Sequence, residues 1–124
     1  MKKVISTPNA PKAVGPYSQA IEVNGTIYIS GQVPVNPATG NIPETIEEQT
    51  TQSLENIGAI LKEAGCSYDN VVKTTVLLDD MNNFAAMNAI YAKYFEKDMP
   101  ARACYQVAKL PLGVKVEIES IAVK

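Results

Sequence analysis

The chain has no histidine among its 124 residues. Without an imidazole, a catalytic site cannot use a Ser-His or Cys-His dyad, and it lacks the side chain that most often binds metals. Acid–base chemistry would therefore have to come from carboxylates, tyrosine, hydroxyl groups, amides or the backbone. This absence excludes many common enzyme mechanisms before any motif is considered.

Cysteine and clustered positive charge are also scarce. The two cysteines, Cys66 and Cys104, form no CxxC or zinc-binding pattern. The net charge is -2 and the lysines are scattered along the chain. Because no basic stripe is present to neutralise a row of phosphates, nucleic acid is not an expected partner.

Long apolar runs are missing too. No stretch approaches the roughly 20 apolar residues that span a bilayer, and the lysines at the start are followed by too short an apolar segment for a secretion signal. We therefore expect no membrane partner, and free thiols without a signal peptide indicate a cytoplasmic protein. With 46% apolar and 19% charged residues, the chain is predicted to form a single globular domain over residues 1–124.

Local patterns predict the element order β-β-β-α-β-α-β-β. The dipeptide Asn24-Gly25 between two strand-like runs is typical of a β-hairpin. Thr45 and Glu48 form a capping-box pattern that begins a helix, and Gly65 ends it. The predicted strands are 3–7, 18–23, 26–32, 71–78, 101–107 and 115–123, and the predicted helices lie within 45–65 and 83–96.

The predicted sheet leaves one face without a covering layer. Two helices can cover roughly one face of a six-strand sheet. The strand at 71–78 (VVKTTVLL) is apolar almost throughout, so the other face also carries apolar side chains. Since no further element can cover that face, we expect a homo-oligomer.

Arg102 is the only arginine beside ten lysines. A guanidinium is planar and forked and grips a carboxylate through two hydrogen bonds, which a lysine cannot do. Strands joined by a short turn usually pair, so Arg102 and Glu117 are predicted to be neighbours across the sheet. The residues alone leave two roles open for Arg102, namely carboxylate recognition and a structural pair with Glu117.

Glu117 and Cys104 are further candidates. Glu117 is suited to general acid–base work with a pKa tuned by burial, although a solvated strand face shared with Glu119 is the alternative. Arg102, two residues from Cys104, is expected to lower the pKa of the thiol. With no histidine to activate it, Cys104 is better interpreted as a pocket wall than as a nucleophile.

Four other residues are weaker candidates, and each of them alone is weak evidence for a site. Asn88 is a polar residue on the apolar stripe of the second helix, where a buried amide needs partners. Ser30 and Gly31 end a strand where backbone N–H groups can face a ligand. Tyr17 follows Gly15-Pro16 and can present its hydroxyl to a pocket or to solvent.

Seven stretches of the chain form a distinctive set: APKAVGPYSQA (10–20), SGQVPVNPATG (30–40), QSLENI (52–57), VVKTTVLL (71–78), NAIYAKYF (88–95), PARAC (100–104) and VEIE (116–119). Together they resemble the RidA/YjgF family of imine and enamine deaminases, which act on 2-iminopropanoate and 2-iminobutanoate. The resemblance implies a chorismate-mutase-like α+β fold with a six-strand mixed sheet and two helices on one face. It also implies a homotrimer with a central barrel and active sites in the clefts between subunits.

The resemblance implies that Arg102 binds the substrate carboxylate and that Glu117 handles the water and the proton transfers. It further implies a pocket lined or oriented by Tyr17, Ser30, Gly31, Asn88 and Cys104. No metal or organic cofactor is expected, and the implied role is removal of 2-imino acids that pyridoxal-phosphate enzymes release. The alternatives are a non-catalytic small-molecule-binding or chaperone-like trimer and, less well matched to the charge, a ribonuclease.

Overall fold

The computed structural model describes residues 1–124 as an α+β protein with one six-stranded mixed sheet and two helices on one face. The strand order is β1-β2-β3-β6-β4-β5, and the predicted order of elements is confirmed. The elements are β1 (Lys3–Ile5), β2 (Ala20–Val23), β3 (Thr26–Gln32), α1 (Ile46–Glu63), β4 (Val71–Leu78), α2 (Phe84–Tyr91), β5 (Ala101–Gln106) and β6 (Val116–Val123).

The hairpin between β2 and β3 turns at the predicted dipeptide. Asn24 has φ 51° and Gly25 has φ 80°, and the flanking residues Val23 and Thr26 pair across the two strands. Positive φ at both central residues is the requirement of a type I′ turn, whose twist matches that of the strands. The hairpin prediction is confirmed.

Helix α1 begins at a side-chain cap. The Thr45 hydroxyl oxygen accepts a hydrogen bond from the Glu48 N–H at 3.1 Å, and the same hydroxyl donates to the Glu48 carboxylate at 3.0 Å. The helix ends before Gly65, which has φ 78°. Its buried stripe includes the fully buried residues Leu54, Ile57 and Leu61, as the apolar spacing predicts.

Helix α2 is shorter than the predicted 83–96, because it ends at Tyr91. The chain continues in tight turns, in which the Tyr94 N–H donates to the Tyr91 carbonyl oxygen. This path brings Phe95 into the core at 4% exposure, with its ring centroid 4.7 Å from that of Tyr91. The residues predicted to form the last turn of the helix therefore form tighter turns, which place the Phe95 ring against that of Tyr91.

Strands β5 and β6 do not pair, although they follow one another in the chain and only residues 107–115 lie between them. Strand β5 pairs in parallel with β4, and β4 also pairs in antiparallel with β6, so β4 lies between them. No residue of β5 is fully buried, whereas β4 and β6 alternate between buried and more exposed positions. Because helix α2 connects β4 to β5, these two strands pair in parallel as a βαβ unit, which leaves β5 at the edge of the sheet. The predicted pairing of β5 with β6 is therefore wrong.

The two faces of the sheet differ in how far their side chains are buried. The helices pack over a core that includes Val116 and Ile118, each at 0% exposure. The face away from the helices, here called the open face, leaves Tyr28 and Tyr105 each 52% exposed. Neither helix combines the length and the apolar character needed to cross a membrane.

Candidate functional site

Arg102 is held by neutral groups of α2. Its Nη1 donates to Asn88 Oδ1 at 2.7 Å, and its guanidinium carbon lies 4.9 Å from the Tyr91 ring centroid and 5.5 Å from that of Phe84. We call these four residues the arginine cluster. The one side-chain ion pair in the chain joins Lys124 to Glu22, so no carboxylate neutralises Arg102. The guanidinium is therefore oriented but remains available to an anion.

A buried hydrogen bond lies beneath the arginine cluster. The Thr74 and Tyr91 hydroxyl groups are 2.7 Å apart, and Thr74 is the residue of β4 in register with Arg102. Thr74 is 0% exposed and Tyr91 is 6% exposed. Burial raises the pKa of Tyr91, which keeps its hydroxyl protonated.

Cys104 lies two residues beyond Arg102, on the same face of β5. Its neighbour in register on β4 is the buried Val76, and the thiol is partly buried. Burial raises the pKa of Cys104 more than the positive charge of Arg102 lowers it. The predicted lowering of this pKa is therefore wrong, because desolvation outweighs the charge. A thiol with a raised pKa suits a pocket wall.

Glu117 lies on the open face of β6, directly over Gly31. A Cβ atom at position 31 would collide with the Glu117 carboxylate. Any residue other than glycine at this position would therefore displace the carboxylate. Burial and, secondarily, the charge of Glu119 raise the pKa of Glu117. A half-buried carboxylate with a raised pKa is a suitable group for proton transfer near neutral pH.

Ser30 and Tyr17 both lie near Gly31, Ser30 as the preceding residue of β3 and Tyr17 across a cavity. The Ser30 hydroxyl donates to the Ser18 carbonyl oxygen at 2.7 Å, and its N–H donates to the Gln19 carbonyl oxygen at 2.9 Å. The Ser30 N–H is thus occupied within the chain and does not face a ligand as expected. Tyr17, 50% exposed, lines a cavity of about 410 Å³ together with Gly31.

Two buried amides that the sequence analysis did not single out hold the loops beside Gly31. Gln19 accepts from the Thr7 N–H at 2.7 Å and donates to the Pro11 carbonyl oxygen at 2.8 Å. Asn56, at 1% exposure, donates to the carbonyl oxygens of Val33 and Val35 at 3.1 and 3.0 Å. A polar residue on the apolar stripe of α1 is the signal that points to Asn56.

Arg102 and Glu117 lie on opposite faces of the sheet. Arg102 contacts α2 on the helix-covered face, whereas Glu117 alternates with the core residues Val116 and Ile118 and so faces away. Their predicted pairing across the sheet is wrong, because β4 separates them as well. Within one chain they cannot contact the same small molecule.

The arrangement can therefore bind an anion at one place and exchange a proton at another. The anion-binding place around Arg102 is completed by Phe84, Tyr91 and Thr74. The sequence analysis did not assign these three residues to a site, because they match an ordinary apolar helix stripe and an ordinary strand. No group of three or more cysteine, aspartate or glutamate side chains is placed to hold a metal ion.

Comparisons with known proteins agree with this α+β fold and with the motifs. The family model described as Endoribonuclease L-PSP matches residues 7–124. A mouse protein named 2-iminobutanoate/2-iminopropanoate deaminase is 58% identical over 125 residues, covering 100% of this chain and 93% of that protein. The chain therefore belongs to the RidA/YjgF family, as its motifs predicted.

Two solved structures from bacteria superpose closely on the chain. The Rid-family protein YyfA from Yersinia pestis has a TM-score of 0.97 and 52% identity, covering 100% of both chains. The Escherichia coli protein TdcF, solved with bound serine, has a TM-score of 0.96 and 45% identity, covering 98% of each chain. The fold is thus shared along essentially the whole chain.

Proposed function

We propose that the chain is a hydrolytic deaminase that converts 2-imino and enamino acids, such as 2-iminopropanoate and 2-iminobutanoate, to 2-keto acids and ammonia. Full-length identity of 58% to a relative with that name supports the activity. The structural observation that carries the proposal is the state of Arg102, the only arginine, which is oriented by neutral groups and has no acidic partner. Such a group is suited to the carboxylate that every 2-imino acid carries.

Arg102 binds the carboxylate, and Glu117 moves the protons. A water oxygen attacks the carbon of the protonated C=N bond, the π electrons pass to nitrogen, and Glu117 takes a proton from the water. Glu117 then returns that proton to the nitrogen, and the C–N bond breaks. The hydroxyl proton passes to the departing ammonia, leaving a 2-keto acid and ammonium. The raised pKa of Glu117 makes its carboxylate a stronger base for the first transfer, and the protonated group then holds the proton that the second transfer returns.

The site is completed by a second copy of the chain. We infer a homotrimer in which the open faces form a central barrel, so that Arg102 of one subunit and Glu117 of its neighbour share a cleft. Two observations support this assembly. Arg102 and Glu117 lie on opposite faces of one sheet, and the open face exposes aromatic side chains at Tyr28 and Tyr105.

A non-catalytic binding protein that uses the same clefts is the main alternative. The serine bound to TdcF is a small molecule with a carboxylate, which suits a binding role as well as a catalytic one. An endoribonuclease, the activity in the family description, matches the chain less well, because the lysines are scattered and the net charge is -2.

The test is hydrolysis of 2-iminopropanoate generated in situ in competition with semicarbazide. We expect the wild-type protein to accelerate release of pyruvate and ammonia and Arg102→Ala to abolish the acceleration. Lys97→Ala, which removes an exposed charge outside the arginine cluster, is the matched control and should retain activity. No acceleration by the wild type, or equal rates for Arg102→Ala, would overturn the proposal. A wild type that binds pyruvate without accelerating the reaction would favour the binding protein.

A further inference from the structure

The orientation of Arg102 needs an explanation beyond its own strand. Arg102 is exposed on β5, an edge strand, and a long flexible side chain there has no intrinsic reason to keep one orientation. The only hydrogen-bond acceptor of the Arg102 side chain is Asn88 Oδ1. One hydrogen bond fixes one edge of the guanidinium but leaves its plane free to rotate.

The Tyr91 ring supplies the second constraint. Its centroid lies 4.9 Å from the guanidinium carbon, within the range of a cation–π contact and nearer than the Phe84 ring at 5.5 Å. An aromatic face orients the cation without neutralising it, whereas a carboxylate at this position would compete with the substrate. The guanidinium N–H groups not used by Asn88 therefore remain free for a ligand.

The Tyr91 ring is itself held in position by two contacts. Its hydroxyl is 2.7 Å from that of Thr74, and its ring packs against Phe95 with a centroid distance of 4.7 Å. A valine at position 74 would fill similar space among neighbours such as Val76, so packing alone does not require this hydroxyl. What the hydrogen bond adds is a defined position of the ring beneath the guanidinium.

We propose that Tyr91 and Thr74 are positioning residues, which act together through the Tyr91 ring to hold Arg102 in its carboxylate-binding orientation. This inference rests on the proposed role of Arg102 and extends it to two buried residues that do not contact the substrate. Because the carboxylate is held alike in the ground state and the transition state, their loss should raise KM and leave kcat nearly unchanged.

The test compares Tyr91→Leu, Tyr91→Phe and Thr74→Val, with 2-oxobutanoate as a stable carboxylate probe in calorimetry. Tyr91→Leu removes the aromatic face and should raise the Kd for 2-oxobutanoate and the KM for 2-iminobutanoate roughly 5- to 10-fold. Tyr91→Phe and Thr74→Val each remove the same hydrogen bond and should raise both constants about 3-fold. The double variant should be no worse than either single one, since both changes delete one interaction.

Tyr68→Leu is the matched control. Tyr68 belongs to the same aromatic group, with its ring 5.8 Å from that of Phe95, but it does not contact Arg102. Its substitution should lower Tm while Kd and KM stay unchanged. If Tyr91→Phe and Thr74→Val lower Tm in the same way without changing Kd, their role is structural and the inference fails. A wild type without deaminase activity would instead overturn the proposed function, whatever the Tyr91 variants do.

Discussion

Glu117 is the residue whose protonation is expected to control the reaction. On the open face it has Glu119 on its own strand, Lys73 and Thr75 on β4, Tyr28 on β3 and Tyr105 on β5 as the polar groups of the surrounding strands. Among them, the charge of Glu119 raises the pKa of Glu117 and adds to the effect of burial. A carboxylate in this state accepts a proton more readily than an exposed one.

Glu119→Gln should lower the pKa of Glu117, because it removes a like charge from the same face of β6. Activity is lost on acidification when the base becomes protonated, so the acidic limb of the kcat–pH profile should move to lower pH. Glu96→Gln, an exposed substitution after α2, should leave the profile unchanged. A limb that stays in place or moves to higher pH would contradict the electrostatic role of Glu119.

Glu117→Gln should reduce kcat by about 10²- to 10⁴-fold and at the same time stabilise the fold. The folded-state pKa of Glu117 is raised above its ordinary value, so ionisation disfavours the folded state. The wild type is thus penalised once pH rises through the folded pKa, and the penalty vanishes below the unfolded pKa. Melting curves should show a higher Tm for the variant at neutral pH, with the difference disappearing in acid.

Among the elements, strand β3 and helix α1 each contain a glycine that makes room for a side chain from elsewhere. At Gly31 the space is taken by the Glu117 carboxylate, and at Gly58 by the Tyr68 hydroxyl, which donates to the Leu54 carbonyl oxygen at 2.7 Å. Both positions are close approaches, but only Gly31 adjoins the candidate acid–base group.

Gly31→Ala should therefore impair catalysis while leaving the protein folded, because the new methyl group displaces the Glu117 carboxylate from its position over residue 31. A loss of roughly 10²-fold in kcat is expected from misplacing the catalytic group. Gly58→Ala is the matched substitution and should lower Tm through the lost Tyr68 hydrogen bond without changing kcat. Equal kinetic effects of the two alanines would show that Gly31 matters only for packing.

Local signals predicted the elements well, while partners distant in sequence were predicted poorly. The Asn24-Gly25 turn, the Thr45 cap and the limits of β3 and β4 follow from chemistry within a few residues, and the structure confirms them. The pairing of β5 with β4 depends on how the strands are arranged in the whole sheet. The alternation of apolar and polar residues within one strand does not reveal which strand is its neighbour. For the same reason Asn88 was predicted as a candidate while its contact with Arg102 was not.

At the scale of the whole molecule, the separation of Arg102 and Glu117 by the sheet predicts complementation between inactive variants. Arg102→Ala retains Glu117, and Glu117→Gln retains Arg102. When the two are unfolded together in equal amounts and refolded, mixed oligomers should contain clefts with both native residues. Random assembly gives such clefts about a quarter of the time, so about a quarter of wild-type activity should return.

The control for complementation is the same mixture assembled from separately refolded variants, which should remain inactive until subunits exchange. Sedimentation should show one oligomeric species in every sample. A stable folded monomer with full activity would contradict the shared cleft, and so would co-refolded mixtures that stay inactive.

Because Arg102 is the only arginine, reagents and proteases that are specific for arginine act on the chain at one position only. Dicarbonyl reagents that condense with arginine have one target in the chain, and its side chain is exposed with no carboxylate shielding it. One adduct per subunit, counted by mass, should track the loss of activity, and 2-oxobutanoate should slow both. When the lysines are acylated, trypsin has only the bond after Arg102 left to cleave, so the same residue divides the chain into an N-terminal fragment ending at Arg102 and a C-terminal one with Cys104 and Glu117.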